Sequence, residues 1–110
     1  DEPDPNRANY GDTGIGTTSA VGCFPGGKSP YGVLDMSGNV WEWCMTKWVE
    51  DYRGYQEHED NAPTGPDPRV LRGGAFGNLP RHVRCADRVR LNPGGWVRDY
   101  GFRVVLVPRR

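Results

Sequence analysis

The sequence predicts one small, loop-rich domain built on short strands and aromatic packing, and three observations carry that expectation. Of 110 residues, 16 are Gly and 10 are Pro, a composition that favours turns over long regular elements. Four Trp, five Tyr and three Phe bury large areas and are scarce in disordered chains, so the low mean hydropathy of −0.74 does not signal disorder. The β-prone runs are short, and Gly, Pro and Asn clusters separate them. At this length a single domain is the upper bound.

Residues 1–30 contain DEPDPN, GDTGIG and FPGGKSP, turn chemistry throughout, which predicts a long ordered loop without a helix. Between Tyr31 and Trp48, Val40, Trp41, Trp43 and Cys44 predict a short extended segment that carries the core. Residues 50–68 are polar and end in NAPTGPDP, a surface loop. Arg69 to Arg72 reads as a strand closed by Gly73 and Gly74. Val83 to Arg90 reads as another, LNPGGW as a turn, and GFRVVLV over 101–107 as the best strand of all. Trp41, Trp43, Phe76, Phe102 and the valines of that last strand are the expected core. The amphipathic helix of a complete α+β domain is missing, which fits a fragment, or one chain of a cut domain, better than a whole fold. Asp1 opens the chain without an initiator Met or a signal-type apolar run, so its N-terminus reads as a cut and gives no localisation.

Charge is balanced overall but not along the chain. Residues 1–60 hold four Lys or Arg against eleven Asp or Glu, and residues 61–110 hold ten against three. No Lys follows Lys47, which is unusual for a surface built to contact phosphates, so no nucleic-acid partner is expected. Arg69, Arg72, Arg84, Arg88 and Arg103 are instead expected to pair with the acidic half or to brace loops. No stretch is long and apolar enough to span a bilayer. Cys23, Cys44 and Cys85 have no CxxC spacing, and only His58 and His82 accompany them, so zinc ribbons and His-rich metal clusters are not expected. Buried thiols or one disulfide are the simpler reading.

Gly22, Gly27, Lys28 and Ser29 match the G-x-x-x-x-G-K-[ST] phosphate-loop pattern letter for letter. That chemistry needs a buried strand before the loop and a helix starting at the Lys. GIGTTSAV is a poor strand, and Pro30 and Gly32 oppose a helix. No nucleotide site is expected.

LDMSGNVWEWC, RVLRGG, RCADR and GFRVV, in that order, resemble the formylglycine-generating-enzyme-like, or sulfatase-modifying-factor, superfamily. The resemblance covers nearly the whole chain and the C-terminal part of that domain. It implies an α+β, C-type-lectin-like architecture. The oxidase of the family uses two cysteines between its RGG and RCA motifs to bind copper, and Ala75 to Arg84 contains none. No other side chain there supplies soft thiolate ligands, so no catalytic residue is assigned. A formylglycine-generating or related oxidoreductase is the alternative reading.

A nearer resemblance is to the variable proteins of diversity-generating retroelements, whose variable region begins RVLRGG and ends GFRV, here about residues 69–105. In that family template adenines are randomised, so asparagine-type codons diversify while a framework stays fixed. The resemblance implies variable, ligand-contacting positions at Gly77, Leu79, Arg81, His82, Asp87, Val89, Leu91, Gly95, Val97, Arg98, Asp99 and Tyr100, each reachable from an AAC codon by changing its first two bases. Trp96 lies among them and is assigned to the ligand surface, although its codon falls outside that set. Aromatic, aliphatic and Arg side chains in such loops suit an interface. The implied role is non-catalytic binding of a protein or cell-surface ligand, with the N-terminal half of the same domain as a further partner. A structural family member without variable loops is the third reading.

Family resemblance also implies a structural calcium ion held by Asn9, the Tyr10 carbonyl and Asp12, then Asp35, the carbonyls of Gly38 and Val40, and Glu42. Calcium takes six to eight oxygens, which loops supply readily. Asp35 capping a turn, with Glu42 paired to an arginine, is the alternative for the same residues.

Overall fold

A left-handed turn launches the first strand. In the computed structural model, which describes residues 2–109, Gly38 has φ +80° and Asn39 φ +70°, a region that Gly and Asn enter at least cost. A Cβ on Gly38 would lie 2.4 Å from the Asn9 carbonyl oxygen, so space as well as dihedral demands glycine. The Asn39 N–H donates to the Asn9 carbonyl at 2.8 Å and the Gly38 N–H to the Gly73 carbonyl at 2.7 Å. These bonds fasten the N-terminal loop and the RGG turn to one point. Strand β1, Trp41–Lys47, leaves from it.

β1 pairs antiparallel with β2, Arg69–Arg72, which pairs antiparallel with β3, Arg88–Leu91; β4, Tyr100–Gly101, runs parallel to β1. The sheet order is β3-β2-β1-β4. One α-helical turn, α1 at Tyr55–His58, and 3-10 turns at Gly11–Thr13, Pro25–Gly27 and Pro80–Val83 complete the regular structure among the described residues. The architecture is α+β and loop-rich, as expected.

Register explains the core. Trp43, Leu71 and Val89 stand opposite one another across three strands, and period-two alternation puts Trp41 and Leu91 on the same face. Leu71 and Ala75 are fully buried and Trp41 nearly so, with Trp43, Val89, Leu91 and Tyr100 packed around them. Ala8, Tyr10 and Val83 form a second cluster under the N-terminal loop. Phe76 is also buried.

Two expected strands are corrected. Pro80 opens a 3-10 turn that runs to Val83, and a bond from the Asp87 N–H to the Arg84 carbonyl continues the turning, so β3 begins only at Arg88. In GFRVVLV only Gly101 is paired. Phe102, Val104, Val105, Leu106 and Val107 are 74–93% exposed. β propensity becomes a strand only against a partner, and no described segment offers one beyond Gly101. Phe102 and the terminal valines therefore lie outside the core. Lys28 follows the short Pro25–Gly27 turn and starts no helix, in line with the rejected phosphate loop.

The arginines brace the fold chiefly through carbonyls. Arg72 donates to Cys85, Arg88 to Val49 and Glu50, and Arg84 to Arg81. Arg90 and Arg103 reach carboxylates of the acidic half, Glu50 and Glu42. Arg88 also lies over the Trp48 and Tyr52 rings, at 4.0 and 4.5 Å from their centroids, a cation held by two π faces. All three cysteines are free; Cys23 and Cys85 are exposed, and burial raises the thiol pKa of half-buried Cys44.

Candidate binding surface

The positions expected to vary lie in the loops after β2 and β3, in β3 itself (Val89, Leu91) and at the start of β4 (Tyr100). Gly77, Leu79, Arg81, Trp96, Val97 and Arg98 are exposed, with Leu79 53% and Trp96 85% accessible. Large apolar side chains left this open cost solubility unless something covers them. His82, Asp87, Val89, Leu91, Gly95, Asp99 and Tyr100 are half-buried. None of these positions is fully buried.

Several of these residues lean on the frame. Tyr100 meets Trp43 edge-on with ring centroids 6.2 Å apart, His82 meets Trp41 at 6.3 Å, and Arg98 lies 5.9 Å from the Phe76 ring centroid. Asp87 Oδ2 bonds His82 Nδ1 at 3.0 Å, while Arg81 Nε donates to His82 Nε2 at 3.1 Å. Since Nε2 accepts, Nδ1 carries the proton in this arrangement. Val89, Leu91 and Tyr100 pack directly on the Trp41–Leu71–Ala75 cluster. Replacement there changes the frame as well as the surface, which separates them from Leu79, Trp96 and Val97.

The residues expected at calcium fall in three places. Asn9 and Gly38 meet at the launching turn, where Asn9 Nδ2 donates to the Thr17 carbonyl and to Ser19 Oγ. Asn9 Oδ1 is buried without a partner. Asp12 lies in the first 3-10 turn and Tyr10 is its N-cap, whose carbonyl accepts from the Thr13 N–H. Asp35, Val40 and Glu42 line a cavity of about 460 Å³ together with Phe102 and Arg103. Asp35 Oδ2 accepts the Gly22 N–H at 2.8 Å. Both Glu42 carboxylate oxygens accept from the Arg103 guanidinium, which also donates to the Leu34 and Asp35 carbonyls. Glu42 holds the Arg103 pKa above its usual value. Of the residues expected at calcium, Glu42 and the Asp35 carbonyl thus hold a guanidinium.

The Glu42–Arg103 clasp joins residues 61 apart, and no local pattern foretells its geometry. The buried Arg69 and the Trp48–Arg88–Tyr52 stack were equally unreadable as sites; only the placement of Arg in strand-like contexts hinted at bracing.

Against this geometry, the match to known proteins is decisive for family. The model of the sulfatase-modifying factor enzyme 1-like domain matches residues 2–107. The chain belongs to that family. A serine/threonine-protein kinase pkn1 of Chlamydia caviae is 41% identical over 106 residues, covering 94% of this chain and 16% of that protein. The formylglycine-generating enzyme of Mus musculus is 30% identical, over 87% of this chain and 26% of the enzyme. Among solved structures, Treponema denticola variable protein 1 superposes with a TM-score of 0.67 at 32% identity, covering 88% of this chain and 34% of its own. The chain thus spans between about a sixth and a third of the lengths of these proteins. A C-type-lectin-like fold of the formylglycine-generating-enzyme type follows from the likeness.

Proposed function

We propose that this domain binds a protein or cell-surface ligand without acting on it chemically, as a variable protein of a diversity-generating retroelement. The observation that carries the reading is Leu79, Trp96 and Val97 standing 53, 85 and 48% exposed on the loops that follow β2 and β3. Aromatic and aliphatic side chains presented from a stiff base are what interface hot spots use. The likeness to Treponema denticola variable protein 1 supports it. Most arginines already bond protein groups, which favours a protein partner over phosphate. Sequencing the encoding locus tests the reading: a near-identical template repeat, differing at adenines beside a reverse transcriptase, is the expected result. Its absence would remove the retroelement assignment.

The Mus musculus relative favours a second reading, oxidation of a sulfatase cysteine. The copper site that the family resemblance implies uses paired thiolates, and no cysteine lies in 75–84. Turnover of a cysteine-containing sulfatase peptide by the purified protein with added copper would replace the first reading with this one.

We extend the proposal to two partners. Apart from Arg103, Phe102–Val107 is apolar on both faces, so it needs cover on both, as a central strand does; the N-terminal half of such a domain would supply it. A structural calcium ion would compete with Arg103 for Glu42. Melting that shifts upward in millimolar calcium relative to EGTA supports the ion, and identical curves leave Arg103 as the counter-charge. No helix among the described residues is long and apolar enough to cross a membrane.

A further inference from the structure

Arg69 is the buried charge of this fold. It is 6% exposed, and its guanidinium donates to two backbone carbonyls, Nη1 to Met45 at 2.6 Å and Nη2 to Thr64 at 2.9 Å. Among the described residues no carboxylate forms an ion pair with it. The nearby acids are already engaged: Lys47 Nζ holds Asp60 at 2.6 Å and Asp67 at 3.2 Å. The charge of Asp60 is felt at Arg69, but its carboxylate bonds Lys47 and not the guanidinium; a buried cation without a directly bonded counter-charge is costly, and two carbonyl dipoles offset only part of that cost. A guanidinium carries five N–H groups.

The same residue lines an open pocket of about 350 Å³ with Trp43, Met45, Pro63, Gly65 and Pro93. β1 is irregular beside the pocket: its pairing with β2 slips between Trp43 and Lys47, and such bulges re-aim side chains beside functional sites. Leu91 stands opposite Arg69 in the register. Pro93, which also lines the pocket, sits between Leu91 and Gly95, two of the positions whose replaceability underlies the function proposed above.

We propose that this pocket takes a carboxylate of an acidic peptide, with Arg69 as the cation in its floor and Trp43 and the prolines as walls. Resting on the binding role already proposed, the inference adds its chemistry: the loops set which ligand is chosen, while a fixed arginine demands that it present an acid. Charge-assisted bonds to a planar guanidinium are stronger than neutral ones and often bidentate.

The test follows the Trp43 Nε1–H and Gly65 amide resonances of the intact chain during titration with the peptide Ac-Gly-Glu-Gly-NH2, against its neutral isostere Ac-Gly-Gln-Gly-NH2. The glutamate peptide should shift both signals and bind at least about fivefold tighter than the glutamine peptide, with the preference shrinking as salt rises. Arg69→Met should abolish the preference. Because Arg69 also ties Met45 to Thr64, Pro63→Glu provides a second variant that leaves the arginine intact and places a competing carboxylate at the mouth; it should weaken the glutamate peptide at least about fivefold, the same charge-assisted margin. Equal affinity for the two peptides, or shifts confined to residues remote from Trp43, would overturn the inference. The locus test of the preceding subsection is independent of either result, so the two readings fail separately.

Discussion

Leucine to alanine at two positions separates frame from surface. Leu71 is fully buried beneath Trp41 and Ala75, whereas Leu79 is 53% exposed. Truncating Leu71 removes buried methyl groups and leaves a cavity under Trp41, Val89 and Leu91, at a cost of about 3 kcal/mol within the usual range of about 2–5. Truncating Leu79 opens no enclosed space and forfeits only part of a half-exposed side chain's transfer energy, less than about 0.7 kcal/mol. With a urea m-value near about 1.5 kcal/mol per molar, the midpoint should fall by about 2 M for Leu71→Ala and by less than about 0.5 M for Leu79→Ala. Far-ultraviolet circular dichroism and tryptophan fluorescence, required to give coincident transitions, measure both. Equal shifts for the two variants would refute the division of the molecule into core and display loops.

Gly38→Ala places a methyl group 2.4 Å from a backbone oxygen at φ +80° and should cost more than about 2 kcal/mol, whereas Gly14→Ala, with φ +78° but open space, should cost only about 1 kcal/mol; thermal unfolding compares them. Arg103→Met removes the clasp on Glu42 and both carbonyl bonds to the 34–35 turn, and should destabilise by about 1–2 kcal/mol after allowance for partial exposure, with Glu42→Gln adding little further in a double-mutant cycle. Lys47 hydrogen bonding holds the Asp60 pKa below its usual value and Asp60 holds the Lys47 pKa above its own. The bridge therefore contributes from neutral pH down to the usual aspartate range of about 3.9 and fades as pH falls through the depressed pKa of Asp60; at the alkaline end it is lost only above the usual lysine value. Carboxyl NMR titration should show the Asp60 midpoint rising toward its usual value in Lys47→Met.

How far the sequence was readable follows from where each signal resides. β2 was legible because RVLR is bounded by two glycines that force a turn, and Gly74 shows why: a Cβ there would meet the His82 carbonyl oxygen at 2.6 Å. β1 announced itself through Trp41 and Trp43. The C-terminal run failed because propensity in FRVVLV says nothing about whether a neighbouring strand is present. β3 slipped because Val83 is apolar for a different reason, its packing on Ala8 and Tyr10. Within the candidate surface, the motif order located the loops, yet it could not show that Val89, Leu91 and Tyr100 rest on the aromatic core while Trp96 does not. Pairings such as Glu42–Arg103 depend on long-range geometry, which no local spacing encodes.

The most direct test is a display library randomised at Gly77, Leu79, Arg81, Trp96, Val97 and Arg98, scored for protease resistance and compared with one randomised at Trp41, Val70, Leu71, Ala75, Phe76 and Val83. The account predicts that most members of the first library stay resistant and nearly all of the second are cleaved. Similar survival in the two libraries would contradict a fixed frame carrying replaceable loops.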